Sequence, residues 1–349
     1  MSLPGRRFAP WLALLAACTA APPRPPAHDA GVDVARPVDV ASHDTADADA
    51  PDGTPDAEED VEEDTGDPSV IASNGCAGGA CLNSNCQALG EPAVPGRFLE
   101  VGFEPRSAYV PADVVIPTLD DAPDEATTGP LLDWLDANHL HVDFFMNTAQ
   151  RCDVAAVPAC AVLVERILRA HNPGNHTAHH VHLGLDCHGL GADAAVACED
   201  EITAVESQLQ VLSNGGLTHL SRLRAPFGEP FLKGGAALEE MKGVVARFAV
   251  EIGWAIDAGD GDRDQPLDAA SATANLARAL DAGDRGVVRL PATAPWSLDV
   301  VKALLDPKTG YVPTHHLRAG TVEDAVCWKY GRHSWELVSQ ITGHRVGEN

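Results

Sequence analysis

The sequence predicts an α/β fold with a largely parallel sheet, preceded by an N-terminal region that does not fold. Two observations support this fold class. From about residue 97 onward, apolar runs of strand length alternate with segments of helical periodicity. Several of these apolar runs lead directly into polar segments. The chain has 349 residues, enough for one large domain with additional segments.

The first 18 residues have the pattern of an export signal. Arg6 and Arg7 precede an apolar run at 11–15 that is too short to span a bilayer. The run ends in Leu-Ala-Ala-Cys at 15–18, which resembles the lipobox of bacterial lipoproteins and implies lipidation of Cys18. We therefore expect an exported protein at the outer membrane or cell surface, held to the membrane through the lipid anchor only. An ordinary secretory signal is the alternative.

Residues 19–74 are predicted to form a disordered acidic tether. The segment is rich in Ala, Pro, Asp, Glu and Thr and has almost no large apolar side chains, so it cannot bury enough surface to offset the entropy of ordering. Between Asp29 and Asp67 there are 15 acidic residues and one basic residue, Arg36. The formal net charge of −27 repels phosphate backbones, and we therefore exclude nucleic acid as a partner.

The cysteines favour disulfides. Eight remain when Cys18 is set aside, and an even number in an exported chain is typical of a disulfide framework. Short loops favour the pairs Cys152 with Cys160 and Cys187 with Cys198, and the other four cysteines stay unassigned.

Three of the unassigned cysteines, Cys76, Cys81 and Cys86, lie in the Gly-rich segment 75–96. A zinc site there is disfavoured because their spacing of five is wider than the usual two to four residues. The segment is too small for a core of its own. We expect it to be a disulfide-tied preface to a domain at 97–349.

The first predicted unit of this domain is strand, helix and strand. The apolar run Val114–Ile116 leads into Thr-Leu-Asp-Asp-Ala-Pro at 118–123. Leucines at 131–135 then recur at helical spacing, and the run His141–Met146 predicts the next strand. The two aspartates are therefore expected just past the C-terminal end of a strand, where parallel α/β folds place their functional groups.

Further predicted elements continue the alternation and bring other polar segments to strand ends. In chain order they are a helix at 162–170 leading to 174–180, a helix at 200–212 and a strand at 220–223 leading to 224–228, a strand at 248–256 leading to 257–260, a strand at 287–290 and a helix at 298–305.

The polar segments contain a candidate metal site for hydrolysis. Asp121, His176 and His180 offer one oxygen and two nitrogens, and three protein ligands with an open position are typical of catalytic zinc. Cobalt, nickel or iron would also accept these ligands. Such a metal activates water and polarises a carbonyl, which suits hydrolysis of an amide or ester. Asp120 is then placed as general base, and Arg224 would keep it ionised and oriented. Each element alone is more often a turn or a helix cap, so the prediction depends on their joint occurrence.

These motifs resemble those of the polysaccharide deacetylases of carbohydrate esterase family 4, the NodB-homology family. Residues 118–123 are similar to the family's Thr-Phe-Asp-Asp-Gly-Pro motif. Residues 174–180 match its Gly-Asn-His-Thr-x-x-His motif, and residues 224–228 match its third motif. The resemblance extends from about Val101 to His344 and implies a distorted (β/α) barrel of about seven strands.

The resemblance also implies a role for each matching residue. The expected site consists of Asp120 as base, Asp121, His176 and His180 as metal ligands, Arg224 and Asp260 as residues that position the reacting groups, and Pro226 and Phe227 as substrate contacts.

Two later motifs depart from the family pattern. Residues 254–261 resemble the fourth motif, but Gly261 stands where a tryptophan is usual. In the fifth motif Pro291 stands where the family has its general-acid histidine, whose loss typically costs about 100-fold to 10,000-fold in rate. Three explanations stay open: His315 or His316 supplies the proton, the leaving group is an alcohol that needs little help, or the domain binds glycan without cleaving it.

The sequence therefore predicts a monomeric, metal-dependent hydrolase that removes N-acetyl or O-acetyl groups from a polysaccharide such as peptidoglycan at the cell surface. The alternative is a catalytically impaired lipoprotein of the same fold that binds glycan. Hydrolysis of a different amide is a further alternative.

Overall fold

The predicted N-terminal regions and part of the predicted site lie outside the residues that the structure describes. The export signal, the tether, Cys18 and Asp260 belong to this part of the chain. No helix among the described residues combines the length and the apolar character needed to cross a membrane. The computed structural model describes residues 81–103, 109–183, 194–217, 219–229, 231, 236–259 and 268–342.

One sheet of nine strands, all paired in parallel, organises the described residues. Four of the strands are only two residues long, and the total of nine exceeds the seven or so strands that were expected. The strands are β1 (Glu100–Val101), β2 (Val114–Ala122), β3 (Asp143–Met146), β4 (Asn172–Asn175), β5 (Arg222–Leu223), β6 (Val250–Ile252), β7 (Ile256–Asp257), β8 (Gly286–Pro291) and β9 (Arg318–Ala319).

Helices connect most successive strands, as the alternating sequence pattern predicts. They are α1 (Thr128–Ala137), α2 (Pro158–Ala170), α3 (Ala194–Leu212), α4 (Ala236–Phe248), α5 (Ala269–Asp281), α6 (Ser297–Leu305), α7 (Tyr311–Thr314), α8 (Val322–Tyr330) and α9 (Ser334–Thr342).

The sheet curls into a distorted (β/α) barrel, which confirms the predicted fold class. Its strand order is β1-β6-β5-β4-β3-β2-β8-β7, with β9 pairing the start of β2. The chain between β6 and β7 joins the two ends of this path. The N–H of Gly253 donates to the carbonyl of Val101 over 2.8 Å, and the N–H of Ala255 donates to Val287 over 2.9 Å.

The alternation of side chains along β2 explains which residues enter the barrel. Val115 and Leu119 pack in the same cluster as the apolar faces of the surrounding helices. Val114 and Ile116 pack with residues of other strands in a second cluster. Because side chains alternate between faces of a strand, Asp120 belongs to the second set and faces the barrel interior.

One predicted strand, at 248–256, is wrong in its extent. Phe248 ends helix α4, and the rest of the run forms the separate strands β6 and β7. Gly253 lies between them, where an added Cβ would be 2.4 Å from the ring of Phe103. The close approach of these two segments depends on contacts far apart in sequence, which the local apolar pattern does not report.

Tyr311 and Val312 have side chains that favour strands, but they do not form one. They begin the short helix α7, in which the N–H of Thr314 bonds to the carbonyl of Gly310 over 3.1 Å. Pro313 is tolerated because the first turn of a helix does not need its N–H group.

The disulfide between Cys152 and Cys160 is present, as predicted. Cys198 is also disulfide-bonded. Its predicted partner Cys187 lies outside the described residues, so that pairing stays a prediction.

The Cys-rich segment is tied to helix α8. Cys86 forms a disulfide with Cys327, a pairing that the sequence left unassigned. The N–H of Asn83 donates to Asp324 over 2.6 Å, and Asp324 also takes part in the capping box that begins α8 at Thr321. The described end of this segment therefore packs against the domain, as a disulfide-tied preface would.

Candidate active site and metal centre

Asp120 and Asp121 lie within the last residues of β2, which ends at Ala122. The sequence analysis expected them just past the end of the strand. The pairing of β2 with β8 continues to Asp120, which lies opposite Pro291. The register with β3 shifts between Asp120 and Ala122, and Asp121 has a φ of 71°. This bulge takes Asp121 out of the strand's regular alternation, which would place it on the face opposite Asp120, and both carboxylates lie near His180.

The structure brings the three predicted metal ligands together. Oδ1 of Asp121 lies 3.6 Å from Nε2 of His176 and 3.4 Å from Nε2 of His180. Two ligand atoms on tetrahedral zinc, each about 2.1 Å from the ion, are about 3.4 Å apart. Oδ1 of Asp121 is buried without a hydrogen-bond partner among the described residues. A divalent metal would satisfy that oxygen, so these residues fit the implied ion.

The two histidines are held in the form that binds metals. Nδ1 of His176 donates to the carbonyl of Arg224 over 2.6 Å, which fixes Nε2 as the ligand nitrogen. Burial lowers the pKa of His176 to about 3, and burial also lowers the pKa of His180. Neutral imidazoles are therefore the ground state of this site.

The loop that carries the histidines is held by Asn147, which the sequence did not single out. Its Nδ2 donates to the carbonyls of His176 and Thr177 over 2.6 and 2.8 Å. Thr177 and His180 both have positive φ values, of 62° and 57°. Non-glycine residues rarely adopt this conformation, and it is typical of functional sites that the surrounding structure keeps in place.

Arg224 is completely buried and connects the general-base candidate to the barrel interior. Its Nη1 donates to Oδ1 of Asp120 over 2.5 Å and to Oγ1 of Thr118 over 2.7 Å. The guanidinium carbon lies 4.1 Å from the ring centroid of Phe145. Burial lowers the pKa of Arg224, and the nearby carboxylate of Asp120 opposes that shift. The predicted pairing of Arg224 with Asp120 is therefore present, and it fixes the carboxylate's orientation.

The turn after Arg224 presents Phe227 at the surface. Residues Pro226–Gly228 form a short 3₁₀ turn in which Phe227 has a φ of 60° and is 40% exposed. The N–H of Ala225 donates to Oε1 of Glu251 over 3.0 Å. Glu251 is fully buried, which raises its pKa to about 8. Glu251 therefore holds the residue that precedes this turn through a buried hydrogen bond.

Sequence reasoning missed Glu251, although a signal was present. It is the one charged residue in the apolar run 248–256. A charge in an apolar strand is rarely buried without a specific partner, so its position indicated a buried polar contact.

On the β8 side of the site, next to Asp120, the residues are a proline and an arginine. Pro291 occupies the strand end opposite Asp120. Nη2 of Arg289 lies 2.9 Å from Oδ2 of Asp257, and its guanidinium carbon lies 4.9 Å from the ring of Trp254. An arginine side chain does not release its proton near neutral pH. Arg289, two residues before Pro291 on the same strand, therefore stays a cation near the site.

His315 and His316 are not at the site, which contradicts the suggestion that one of them supplies the proton. They lie between α7 and β9, and Arg318 of β9 is paired with Val114 at the beginning of β2. The six-residue step from Val114 to Asp120 spans about 20 Å of extended strand. These histidines therefore belong to the opposite end of the barrel.

Comparisons with known proteins agree with the motifs. Residues 108–241 match the family model described as polysaccharide deacetylase. No curated protein matches the sequence of the chain.

Solved structures share the fold at low sequence identity. The chitin deacetylase of the fungal pathogen Colletotrichum lindemuthianum is 19% identical, with 66% of this chain and 92% of that chain covered and a TM-score of 0.50. The catalytic domain of a peptidoglycan N-acetylglucosamine deacetylase from Eubacterium rectale is 17% identical, with 61% and 90% covered and a TM-score of 0.47. A family 4 pseudoenzyme from Bacillus anthracis is 13% identical, with 64% and 68% covered and a TM-score of 0.46.

The parallel barrel has the fold of the polysaccharide deacetylases. Residues 108–241, less than half of the chain, match the polysaccharide deacetylase model, and the chitin deacetylase shares the fold. The family resemblance drawn from the sequence motifs is confirmed.

Proposed function

We propose that this protein is a metal-dependent hydrolase that removes acetyl groups from a polysaccharide at the cell surface. The observation that carries the proposal is the meeting of Asp121, His176 and His180 around one buried carboxylate oxygen, at 3.4 and 3.6 Å from the two imidazole nitrogens. Zinc is the favoured ion, and cobalt, nickel or iron would also suit this ligand set.

Each side chain of the candidate site has a separate role in the proposed reaction. When bound, a divalent metal would polarise the acyl carbonyl and lower the pKa of a water molecule. Asp120 is buried beside that position and is placed to accept a proton as general base. Arg224 holds Asp120 through a charge-assisted hydrogen bond of 2.5 Å. Pro226 and Phe227 form the adjoining turn, where the glycan would make contact.

The family supports a glycan substrate. Residues 108–241 match the polysaccharide deacetylase model, and the chitin deacetylase of Colletotrichum lindemuthianum shares the fold. Acetylated glucosamine polymers are therefore the first substrates to test. Location at the cell surface rests on the export signal and the lipobox, and we propose a monomer anchored through Cys18.

A second candidate function is glycan binding without turnover, and Pro291 is the observation that favours it. Pro291 lies directly opposite Asp120 in the sheet. Its ring carries no proton to give to a leaving amine. An alcohol leaves an ester with less need for protonation, so an O-acetylated polysaccharide is the compatible substrate if turnover occurs.

Acetate release from N-acetylated chitooligosaccharides and O-acetylated xylan tests the proposal. The full-length chain in detergent would be stripped with a chelator, reloaded with zinc and assayed beside Asp120→Asn and His176→Gln. We expect activity that requires zinc, loss of activity with retained zinc in Asp120→Asn, and loss of stoichiometric zinc in His176→Gln.

The other outcomes separate the two candidate functions. One zinc per chain with no acetate from either substrate would support the glycan-binding alternative. Failure of the wild-type chain to bind any divalent metal would contradict the proposed metal centre.

A further inference from the structure

A row of three rings leads outward from the candidate metal centre. The ring of Phe227 meets the imidazole of His180 edge to face, with centroids 4.7 Å apart at 67°. His182 lies flat on Phe227, with centroids 3.8 Å apart and an interplanar angle of 8°. Phe227 therefore contacts both rings, so His182 lies close to the candidate metal ligand His180.

His182 is held in place although it is exposed. Its side chain is 53% exposed, and its Nδ1 lies 3.0 Å from Oε2 of Glu229, whose side chain is only 6% exposed. Contact with a buried carboxylate and stacking on Phe227 together fix both the position and the plane of the imidazole. A ligand that binds to this ring does not have to order it first, so little conformational entropy is lost on binding.

We propose that His182, stacked on Phe227 and held by Glu229, is a sugar-binding platform that receives a pyranose ring adjacent to the acetylated residue in the metal site. One side of a pyranose ring presents C–H groups that pack on a flat ring, while its hydroxyl groups stay in water. Flat side chains with a polar edge are suited to such partly exposed contacts. The platform rests on the proposed function for where the acetyl group lies, but binding to the platform does not require turnover.

His179 provides a matched comparison on the same loop. Its side chain is also 53% exposed, and its Nδ1 lies 2.8 Å from a glutamate that is only 3% exposed, Glu201. It differs from His182 in that the stack on Phe227 is made by His182. Exposure and a carboxylate partner are thus shared by both histidines, and the stack on Phe227, beside the candidate metal centre, belongs to His182.

The test compares three variants of the zinc-loaded full-length chain. His182→Ala should raise the KM for N-acetylated chitotetraose about two- to tenfold, with kcat changed less than about twofold. Hydrolysis of p-nitrophenyl acetate, which is too small to reach the platform, should change less than about twofold. His182→Phe should restore the KM because it restores a flat ring, and His179→Ala, compared at equal zinc occupancy, should not raise the KM for chitotetraose.

Several results would overturn the platform: an unchanged KM in His182→Ala, an equal loss on both substrates, or a His182→Phe variant as weak as His182→Ala. If the wild-type chain releases no acetate, calorimetry with the same tetrasaccharide replaces the kinetic assay. Weaker binding by His182→Ala than by wild type then supports the platform although the proposed activity has failed. Equal affinities, or no binding by the wild-type chain, overturn it.

Discussion

Arg224 is the residue whose replacement tests the buried half of the site most directly. It is fully buried, and the structure describes four hydrogen bonds from its side chain. Two are made to Asp120 and Thr118, and two to the carbonyls of Ile252 and Gly253. Methionine has a similar length but no donor, so Arg224→Met removes all four contacts and leaves the Asp120 carboxylate buried without its cation.

The expected loss in the free energy of unfolding is about 3 to 5 kcal/mol, the usual cost of breaking a buried ion pair from one side. The two carbonyls that lose their donor would add about 1 kcal/mol or more each if water does not replace it. A domain has only about 5 to 15 kcal/mol of stability in total, so the variant would be close to unfolding. Arg224→Lys, which keeps the charge but not the planar donor group, is the milder second variant.

Urea unfolding of the wild type, Arg224→Met, Asp120→Asn and the double variant forms a double-mutant cycle. In the Asp120→Asn background, Arg224→Met leaves no carboxylate unpaired. Its loss in the free energy of unfolding should therefore be about 2 kcal/mol or more smaller there than in the wild-type background. Losses that agree within about 0.5 kcal/mol in the two backgrounds would refute the coupling of Arg224 to Asp120. The same comparison with lysine applies if the methionine variant does not fold.

Two further measurements probe the buried charges and the cross-links. Burial raises the pKa of Asp143 to about 7 and that of Glu251 to about 8, so the folded state binds these protons more tightly than the unfolded state. Their stabilising effect is complete below about pH 4 and is lost as pH rises through 7 and 8, at up to about 1.4 kcal/mol per pH unit for each group. Urea midpoints should therefore fall less steeply with pH in Asp143→Asn than in the wild type, and identical slopes would contradict this. Replacing Cys86 and Cys327 by serine should lower the free energy of unfolding by about 2 to 5 kcal/mol, because their disulfide closes a loop of 241 residues. A loss below about 0.5 kcal/mol in urea unfolding would contradict that role.

The sequence was sufficient to predict the fold class and the convergence of Asp121, His176 and His180, the three candidate metal ligands. Each ligand belongs to a short motif after a strand-like run, and the carboxyl ends of neighbouring parallel strands meet at one end of a barrel. β2, β3 and β4 are neighbours in the sheet, so Asp121 and His176 had to come close once those strands were recognised. The pairing of Arg224 with Asp120 follows in the same way.

What the sequence could not predict depends on contacts between distant segments. The break between β6 and β7 occurs where Gly253 passes close to Phe103, and nothing in the local apolar run indicates it. The position of His315 depends on the pairing of β9 with the start of β2. The approach of Asp121 to His176 and His180 requires the bulge at the end of β2, since regular alternation would place Asp121 on the face opposite Asp120.

The two halves of the site differ in what they can contribute to an acyl-transfer reaction. In the proposed reaction, attack on the acyl carbon would depend on Asp120 and its partner Arg224, and both are buried and connected by a hydrogen bond of 2.5 Å. Departure of the leaving group depends on the β8 side, where Pro291 carries no proton and Arg289 is bound to Asp257. The second step is more demanding for an amide than for an ester, because a nitrogen must be protonated before it leaves. We therefore expect O-acetyl groups to be released faster than N-acetyl groups, and the comparison of xylan with chitooligosaccharides measures how far the β8 side limits the reaction.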